Sequence, residues 1–562
     1  MRNYNAWVLS GGGAKGCFQA GSIYYLGTKN LEFKPDIITG CSVGALNSLL
    51  PAQEWEWPLQ NISDLVDIWL QLNEESDMYE VSDEAKEFDD DRFNNVLTSA
   101  VELGLTQISD FFIGGGYGPE KSEYGNYEID FYKEARLAQA NINSERRGSR
   151  AGLVARIALI VFAPGHATGA IALSQSAAQI SDAIEDFAKI QSLFTLKPIE
   201  TLIRSKLDYA KFSRTWTKLK LVSTSINNGR LYYMDENTRF HMLDYKPDET
   251  TEYENKTIFS TYAPHLEADI SGIDRLIKGA LASAAIPGAF PPQLIGGNIC
   301  FDGGVTDTLP LRSIQPELKV ISGTDRESRI IMIRCNPKHN SDASKRGLIQ
   351  EIPRGRPSDI NRPYFHFYSQ EEADSKGMLD YIGGLISSMN KEINRTDDLE
   401  LQEHLESSTI YDIAPTFNIN GTAQIDPGLI RIQLAYGWMR AFDVIEGNME
   451  SLKLTDKIIL SRLHAWRLEE LSVNLAAFPN RAFVPHTIPK IRQMKVLVKK
   501  YTDERIAQFG RESVPRNADK HFAYDEKWFN SFEKHKWQSN RTPWDKWVDM
   551  DGNSIIEDSP PW

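Results

Sequence analysis

Residues 37–44 read Ile37-Ile38-Thr39-Gly40-Cys41-Ser42-Val43-Gly44, an apolar, β-branched run that delivers a serine into the pattern G-x-S-x-G. The next six residues, Ala45-Leu46-Asn47-Ser48-Leu49-Leu50, suit a helix. Strand, serine and helix in that order make a nucleophile elbow. Its turn is sharp enough to lift the serine hydroxyl clear of the backbone, and Gly40 and Gly44 let strand and helix cross closely. Free N–H groups in the first helical turn place positive potential beside the hydroxyl and favour an oxyanion there. Strands alternating with helices in this way also predict an α/β sheet.

Towards the N-terminus stands Trp7-Val8-Leu9-Ser10-Gly11-Gly12-Gly13-Ala14-Lys15-Gly16, with Cys17-Phe18-Gln19-Ala20 opening a helical pattern behind it. Backbone without Cβ atoms can wrap a ligand and aim several N–H groups at one point, which suits either a phosphate cradle or an oxyanion hole. Gly11, Gly13 and Gly16 satisfy G-x-G-x-x-G, so dinucleotide binding is the rival reading. That reading needs an acidic residue closing the second strand about 20 residues on. Glu32 is the near candidate, but it precedes Pro35 and the second strand, which ends instead in Ser42. A glycine-rich turn without function is the third reading.

Far downstream come Ser283-Ala284-Ala285-Ile286-Pro287-Gly288-Ala289-Phe290-Pro291-Pro292 and then Phe301-Asp302-Gly303-Gly304-Val305. An Asp-Gly-Gly turn is commonplace on its own. A serine hydroxyl, however, needs a base within hydrogen-bond reach to become nucleophilic, and Asp302 at a tight turn could supply one without a histidine.

Together the three segments resemble the patatin-like phospholipase family, which combines a G-G-G-x-K/R-G oxyanion loop, a G-x-S-x-G serine and a D-G-G/A aspartate. All occur here in the family's order, as Gly11–Gly16, Gly40–Gly44 and Asp302–Gly304. The stretch Ser283–Pro292 is similar to the segment that leads into the family's aspartate, and Leu429–Val444 to its closing helix. One departure is Asp307-Thr308-Leu309-Pro310, where family members often carry Asn-x-Pro; Asp307 adds a negative charge there. The resemblance spans about residues 1–447 and implies a three-layer α/β/α fold with a mainly parallel sheet. It implies a Ser42–Asp302 catalytic dyad and an oxyanion hole from Gly11, Gly12 and Gly13. Lys15, Gly16, Gly40, Gly44, Gly303 and Gly304 support those motifs. The implied substrate is a phospholipid or other lipid ester, cleaved through an acyl-enzyme without metal or organic cofactor.

The composition fits a large enzyme. A chain of 562 residues exceeds what one core usually spans, so two domains or large insertions are expected. Net charge is 62 − 77 = −15, which argues against nucleic-acid partners and against adsorption of the whole surface on anionic membranes. Peripheral membrane contact would need a local basic patch. The four cysteines form no C-x-x-C pair and sit in apolar runs, as buried thiols of a reducing, cytoplasmic compartment do. Met1-Arg2-Asn3-Tyr4-Asn5 is too polar and short for a secretory leader. The ten histidines show no H-x-x-x-H or H-E-x-x-H spacing, so no metal site is expected.

Core strands are predicted at 6–10, 36–40, 218–225, 318–323, 329–335 and 409–413. An insertion occupies about 51–214, with a helix over Asn61–Leu72, an acidic stretch Glu84–Asp91 and a glycine turn Gly114–Gly118. Ala151–Leu173 approaches the length of a membrane span, but Arg156, Pro164, Gly165 and His166 interrupt it. Core helices, a lipid-facing lid and a membrane span all remain open for it, with Arg146, Arg147, Arg150 and Arg156 as a basic edge. Residues 448–562 form a helical, Trp-rich extension. In it Ile491, Met494, Leu497, Val498 and Tyr501 make an apolar stripe, while Lys490, Arg492, Lys495, Lys499 and Lys500 are expected in solvent. Trp528, Trp537, Trp544, Trp547 and Trp562 suit a packed strap or an interfacial anchor. Two other functions stay open: a Ser-His-Asp esterase on small soluble esters, and a lapsed hydrolase that binds a membrane or partner.

Overall fold

The computed structural model describes residues 3–53, 60–86, 191–243 without 213 and 228, 271–337 without 325, 407–476 without 421–423, and 484–515. Ahead of the glycine loop and the serine, the two apolar runs form neighbouring parallel strands, β1 (Tyr4–Leu9) and β2 (Ile37–Cys41), joined through α1 (Gly16–Thr28). Both strands are buried along their whole length, Asn5 included, as strands of a sheet covered on both faces are. Alternation still sorts their side chains. Trp7 and Leu9 enter one core cluster, and Tyr4, Ala6 and Val8 the other.

α2 (Val43–Ala52) and α3 (Gln60–Gln71) follow, and α3 supplies Ile62, Leu65, Val66 and Trp69 to the first cluster. A two-residue pair, β3 (Glu80–Val81) with β4 (Phe194–Thr195), closes the described arms of the insertion ahead of α4 (Lys197–Lys206). The second arm is tied to the segment before Asp302, since the Phe194 amide donates to the Ala289 carbonyl at 2.8 Å. Then come β5 (Lys218–Ser225), β6 (Leu231–Asp235), β7 (Phe240–Met242), α5 (Gly272–Ala284), β8 (Gln293–Ile295) and β9 (Asn298–Asp302). The chain continues through α6 (Gln315–Ser322), β10 (Ser328–Ile333), β11 (Thr409–Ile413), α7 (Pro427–Ile445), α8 (Met449–Ala476) and α9 (Val484–Phe509). Local chemistry sets the helix starts. Ser271 caps α5 through the Asp274 amide, and Asp426 caps α7 through the Leu429 amide with Pro427 in the first turn.

The sheet runs β11-β10-β1-β2-β5-β6-β7, parallel from β11 to β5 and antiparallel beyond. α1, α2, α3 and α7 cover one face and α6 the other, which gives the expected three layers. β9 also pairs with β5, and the register there decides the site. Cys41 of β2 lies opposite Val222, and Asp302 of β9 lies opposite Ser223. Ser223 and Thr224 pair with β6 as well, so β9 must lie on the edge of β5 that β2 uses. Two strands from opposite directions thus meet end to end on consecutive β5 residues.

The strand predicted at 318–323 is instead α6. Leu311, Ile314, Leu318 and Ile321 recur at helical spacing and pack on β1 and β10, while Val320 is exposed. Pro316 in its first turn fits a helix start. Lys495, expected in solvent, is buried (1 % exposed), and Val496 beside it is 60 % exposed. α9 is held by polar groups rather than by an apolar stripe alone. Buried Arg505 donates to Asp443 of α7 at 2.8 Å and to Thr455 of α8 at 2.7 Å. It also donates to the Ser513 carbonyl at 2.9 Å. A buried ion pair is tolerable when its donors are satisfied in this way. The first core cluster runs from Trp7 through Trp466 to Val498 and Val514, so it includes side chains of the extension.

The glycine turn 114–118, the acidic stretch beyond Lys86, Ala151–Leu173, the Arg146–Arg156 edge and the C-terminal tryptophans lie outside the described residues. No helix among the described residues is long and apolar enough to cross a membrane.

Candidate active site

Ser42 stands between β2 and α2 with φ 55° and ψ −128°, a conformation that L-residues rarely adopt. The elbow geometry predicted from G-x-S-x-G is therefore present. Its glycines are required by contact. A Cβ on Gly40 would lie 2.3 Å from the Gly44 carbonyl oxygen, and one on Gly44 would lie 2.5 Å from that of Leu9. The strained turn is braced by Ser283 at the end of α5. The Ser42 amide donates to Ser283 Oγ at 3.0 Å, and that hydroxyl donates to the Val222 carbonyl of β5.

Asp302 ends β9 and is almost fully buried beside Ser42, whose hydroxyl favours its ionised form. The Gly304 amide donates to its Oδ1 at 2.7 Å, and the Cys41 thiol donates to the same oxygen at 3.6 Å. Burial pushes the carboxyl pKa up to about 6, opposed by the Ser42 hydroxyl, the Gly304 amide and the Cys41 thiol. At neutral pH the group is thus ionised and able to accept a proton. Gly303 permits the turn, because a Cβ there would stand 2.6 Å from the Val222 carbonyl oxygen. The turn holds without the asparagine of the family pattern. The Asp307 and Thr306 amides donate to the Gly303 carbonyl, and the Leu309 amide donates to the Asp307 side chain at 3.1 Å.

The glycine loop lies beside the serine. A Cβ on Gly11 would stand 3.2 Å from Ser42 Cβ and 3.9 Å from its Oγ. One expectation needs correction. The Gly11 amide already donates to the Thr308 carbonyl at 3.0 Å, so it is not a donor for an incoming oxyanion. The Gly12 and Gly13 amides have no acceptor among the described residues. Gly13 has φ 55°, in the left-handed region that glycine tolerates. Lys15 donates to Asn336 Oδ1 at 2.8 Å and is buried, which ties the loop to the segment after β10.

Side chains that the motifs do not reveal hold this loop against the nucleophile helix. Gln19 donates to the Ser10 carbonyl at 2.8 Å and to the Ile333 carbonyl at 3.0 Å, and its own oxygen accepts from Asn47 at 3.0 Å. Asn47 also donates to the Gly16 carbonyl at 2.9 Å and accepts from the Trp69 indole at 2.9 Å. Gln19 and Asn47 are large polar residues inside helices that bury mostly apolar or small side chains, and that mismatch is a signal in the sequence.

In Gly12→Ala the new Cβ would lie 2.2 Å from Cys335 Cβ, inside the core. Gly12→Ala should therefore lower the melting temperature, and Gly12→Ala/Cys335→Gly should recover most of the loss in a thermal melt. A single variant as stable as wild type would contradict this packing.

All four cysteines are buried and free, as expected from their apolar surroundings. Two histidines have described side chains. His241 pairs with Asp235 at 3.0 Å, and buried His464 lies on α8; neither contacts Ser42. No His/Cys/Asp/Glu group suited to a metal is present among the described residues.

The model of the family described as Patatin-like phospholipase matches residues 7–314, which takes in all three motifs and more than half the chain. The chain belongs to the patatin-like phospholipase family. Family membership makes it a lipid acyl hydrolase with the α/β architecture described above. A search among curated proteins returns no match. Among solved structures, VipD from Legionella pneumophila is similar at 13 % identity and a TM-score of 0.23, covering 100 % of this chain and 93 % of that one. So low a score carries no argument beyond the family match.

Proposed function

We propose that this patatin-like protein cleaves carboxylic esters of phospholipids or related lipids through a Ser42–Asp302 dyad. The observation that supports the proposal is the end-to-end meeting of β2 and β9, which brings the strained Ser42 beside a buried Asp302 whose pKa near 6 leaves it mostly ionised at neutral pH. Asp302 accepts the hydroxyl proton as Ser42 Oγ attacks the ester carbonyl. The tetrahedral oxyanion is received by the Gly12 and Gly13 amides, helped by the N-terminus of α2. Collapse returns the proton to the departing alcohol oxygen and leaves an acyl-Ser42. A water then gives its proton to Asp302, attacks the acyl carbon and releases the fatty acid, with the proton restored to Ser42. The chemistry draws on no metal or organic cofactor. Because the natural substrate lies in a lipid surface, we place the working enzyme in peripheral contact with a membrane, on the cytoplasmic side. Lys499 and Lys500 are exposed on α9 and the Arg146–Arg156 edge is basic in sequence, so these are the segments from which local attraction would come.

The base must be ionised to act. With its pKa near 6, kcat/KM should fall about tenfold per unit as pH drops below that value and level off above it. Initial rates on phospholipid vesicles and on a soluble short-chain ester between pH 4.5 and 8 test this. Both substrates should share the acid limb, and a rate undiminished at pH 5 would exclude Asp302 as the base.

A further inference from the structure

Cys41 occupies the variable position of G-x-S-x-G, yet its side chain lies against the base rather than in a neutral corner of the core. A Cβ built on Gly303 would stand 3.2 Å from its sulfur and one on Gly304 3.6 Å, so the thiol lies under the Asp302 turn. It is completely buried and donates to Asp302 Oδ1, the oxygen that also takes the Gly304 amide. A carboxylate oxygen accepts about two hydrogen bonds in its plane. Two convergent donors therefore occupy Oδ1 and leave Oδ2 to the proton of Ser42.

We propose that Cys41 is a positioning residue: its thiol, with the Gly304 amide, fixes the Asp302 carboxylate so that the second oxygen faces Ser42. This rests on the dyad reading. The thiol is suited to the task because it keeps its proton. Burial pushes it well above the usual thiol range, and the ionisable groups facing it, Asp302 and Asp307 from the β9 side and Cys335 beyond β10, all disfavour a thiolate. It is accordingly an S–H donor throughout the working pH range and not a competing nucleophile. A donor to the ionised form also favours ionisation, so removing it should make Asp302 harder to deprotonate.

The test is the pH dependence of kcat/KM on a soluble short-chain ester for wild type, Cys41→Ala, Cys41→Ser and Asp302→Asn. Cys41→Ala should move the acid limb up by about half a pH unit and lower kcat several-fold with KM little changed, as loss of a weak donor predicts. Cys41→Ser, with a stronger O–H donor, should move the limb to lower pH. A role in packing alone would reduce rate or stability and leave the limb in place, so a Cys41→Ala limb coincident with wild type overturns the proposal. Where Cys41→Ala fails to fold, Cys41→Ser decides, and a limb unmoved or raised overturns it. The Asp302→Asn profile keeps the two readings apart. If its residual activity retains the wild-type limb, the dyad itself fails; if the limb vanishes there but stays fixed in Cys41→Ala, only the role of the thiol fails.

Discussion

Asp302→Asn is expected to lower kcat for ester hydrolysis about 10³-fold while making the protein more stable above pH 6. The loss of rate follows from the loss of the proton acceptor. The gain in stability follows from burial, which holds the carboxyl at about 6, against an ordinary value of 3.8. The native state thus binds the proton more tightly than the unfolded chain. The stability from this group is complete below pH 4 and is lost as pH rises through 6. At pH 8 the ionised, desolvated carboxylate costs the fold roughly 3 kcal/mol, at about 1.36 kcal/mol per pH unit. Asparagine is neutral and nearly isosteric, and its Oδ1 can still accept from the Gly304 amide. Urea denaturation should therefore show Asp302→Asn more stable at pH 8 by about 1–3 kcal/mol, with the difference fading near pH 4. A stability difference independent of pH would show that the carboxyl is not perturbed as described.

Ser42→Ala and Ser42→Gly should each lower kcat by about 10³-fold or more, because both remove the nucleophile. Their stabilities should differ. Backbone at φ 55° and ψ −128° penalises any residue with a Cβ, by about 1–3 kcal/mol. Alanine keeps that strain and glycine releases it, at a cost of about 0.4–1 kcal/mol in unfolded-state entropy. Ser42→Gly should accordingly melt above Ser42→Ala, and equal melting temperatures would argue that the elbow holds no strain. In the proposed dyad Ser42 and Asp302 act as a unit, so Ser42→Ala/Asp302→Asn should be scarcely slower than either single variant.

The site was legible where function imposes residue types at fixed spacing. Gly40 is dictated by the Gly44 backbone just past Ser42, Gly44 by the close approach of the Leu9 carbonyl on the neighbouring strand, and the turn at Asp302 by the two glycines that follow it. The same holds for the centre of the parallel half of the sheet, where Ala6–Leu9, Ile37–Ile38 and Ile330–Ile333 are apolar runs. What stayed hidden depends on distant partners. Nothing in residues 218–225 announces that β2 and β9 will share one edge of β5, although that register brings Ser42 and Asp302 together. The Gly11 amide looks like its neighbours in sequence, and only the approach of the Thr308 carbonyl sets it apart from them. Leu318-Lys319-Val320-Ile321 resembles a strand because two of its residues are β-branched, and the helical stripe appears only when Leu311 and Ile314 are counted with it. Lys495 was misplaced for a related reason. A periodicity argument assigns every lysine to solvent, whereas α9 docks through buried polar groups around Arg505.

The Ser42–Asp302 dyad is tested most directly by the rate at which a fluorophosphonate modifies the protein, with the site mapped by peptide mass. Wild type should be labelled at Ser42 alone, and Asp302→Asn should be labelled there at least about 100-fold more slowly at pH 7.5, since no group remains to take the hydroxyl proton. Labelling of Asp302→Asn at the wild-type rate, or a label on another residue, would contradict the dyad.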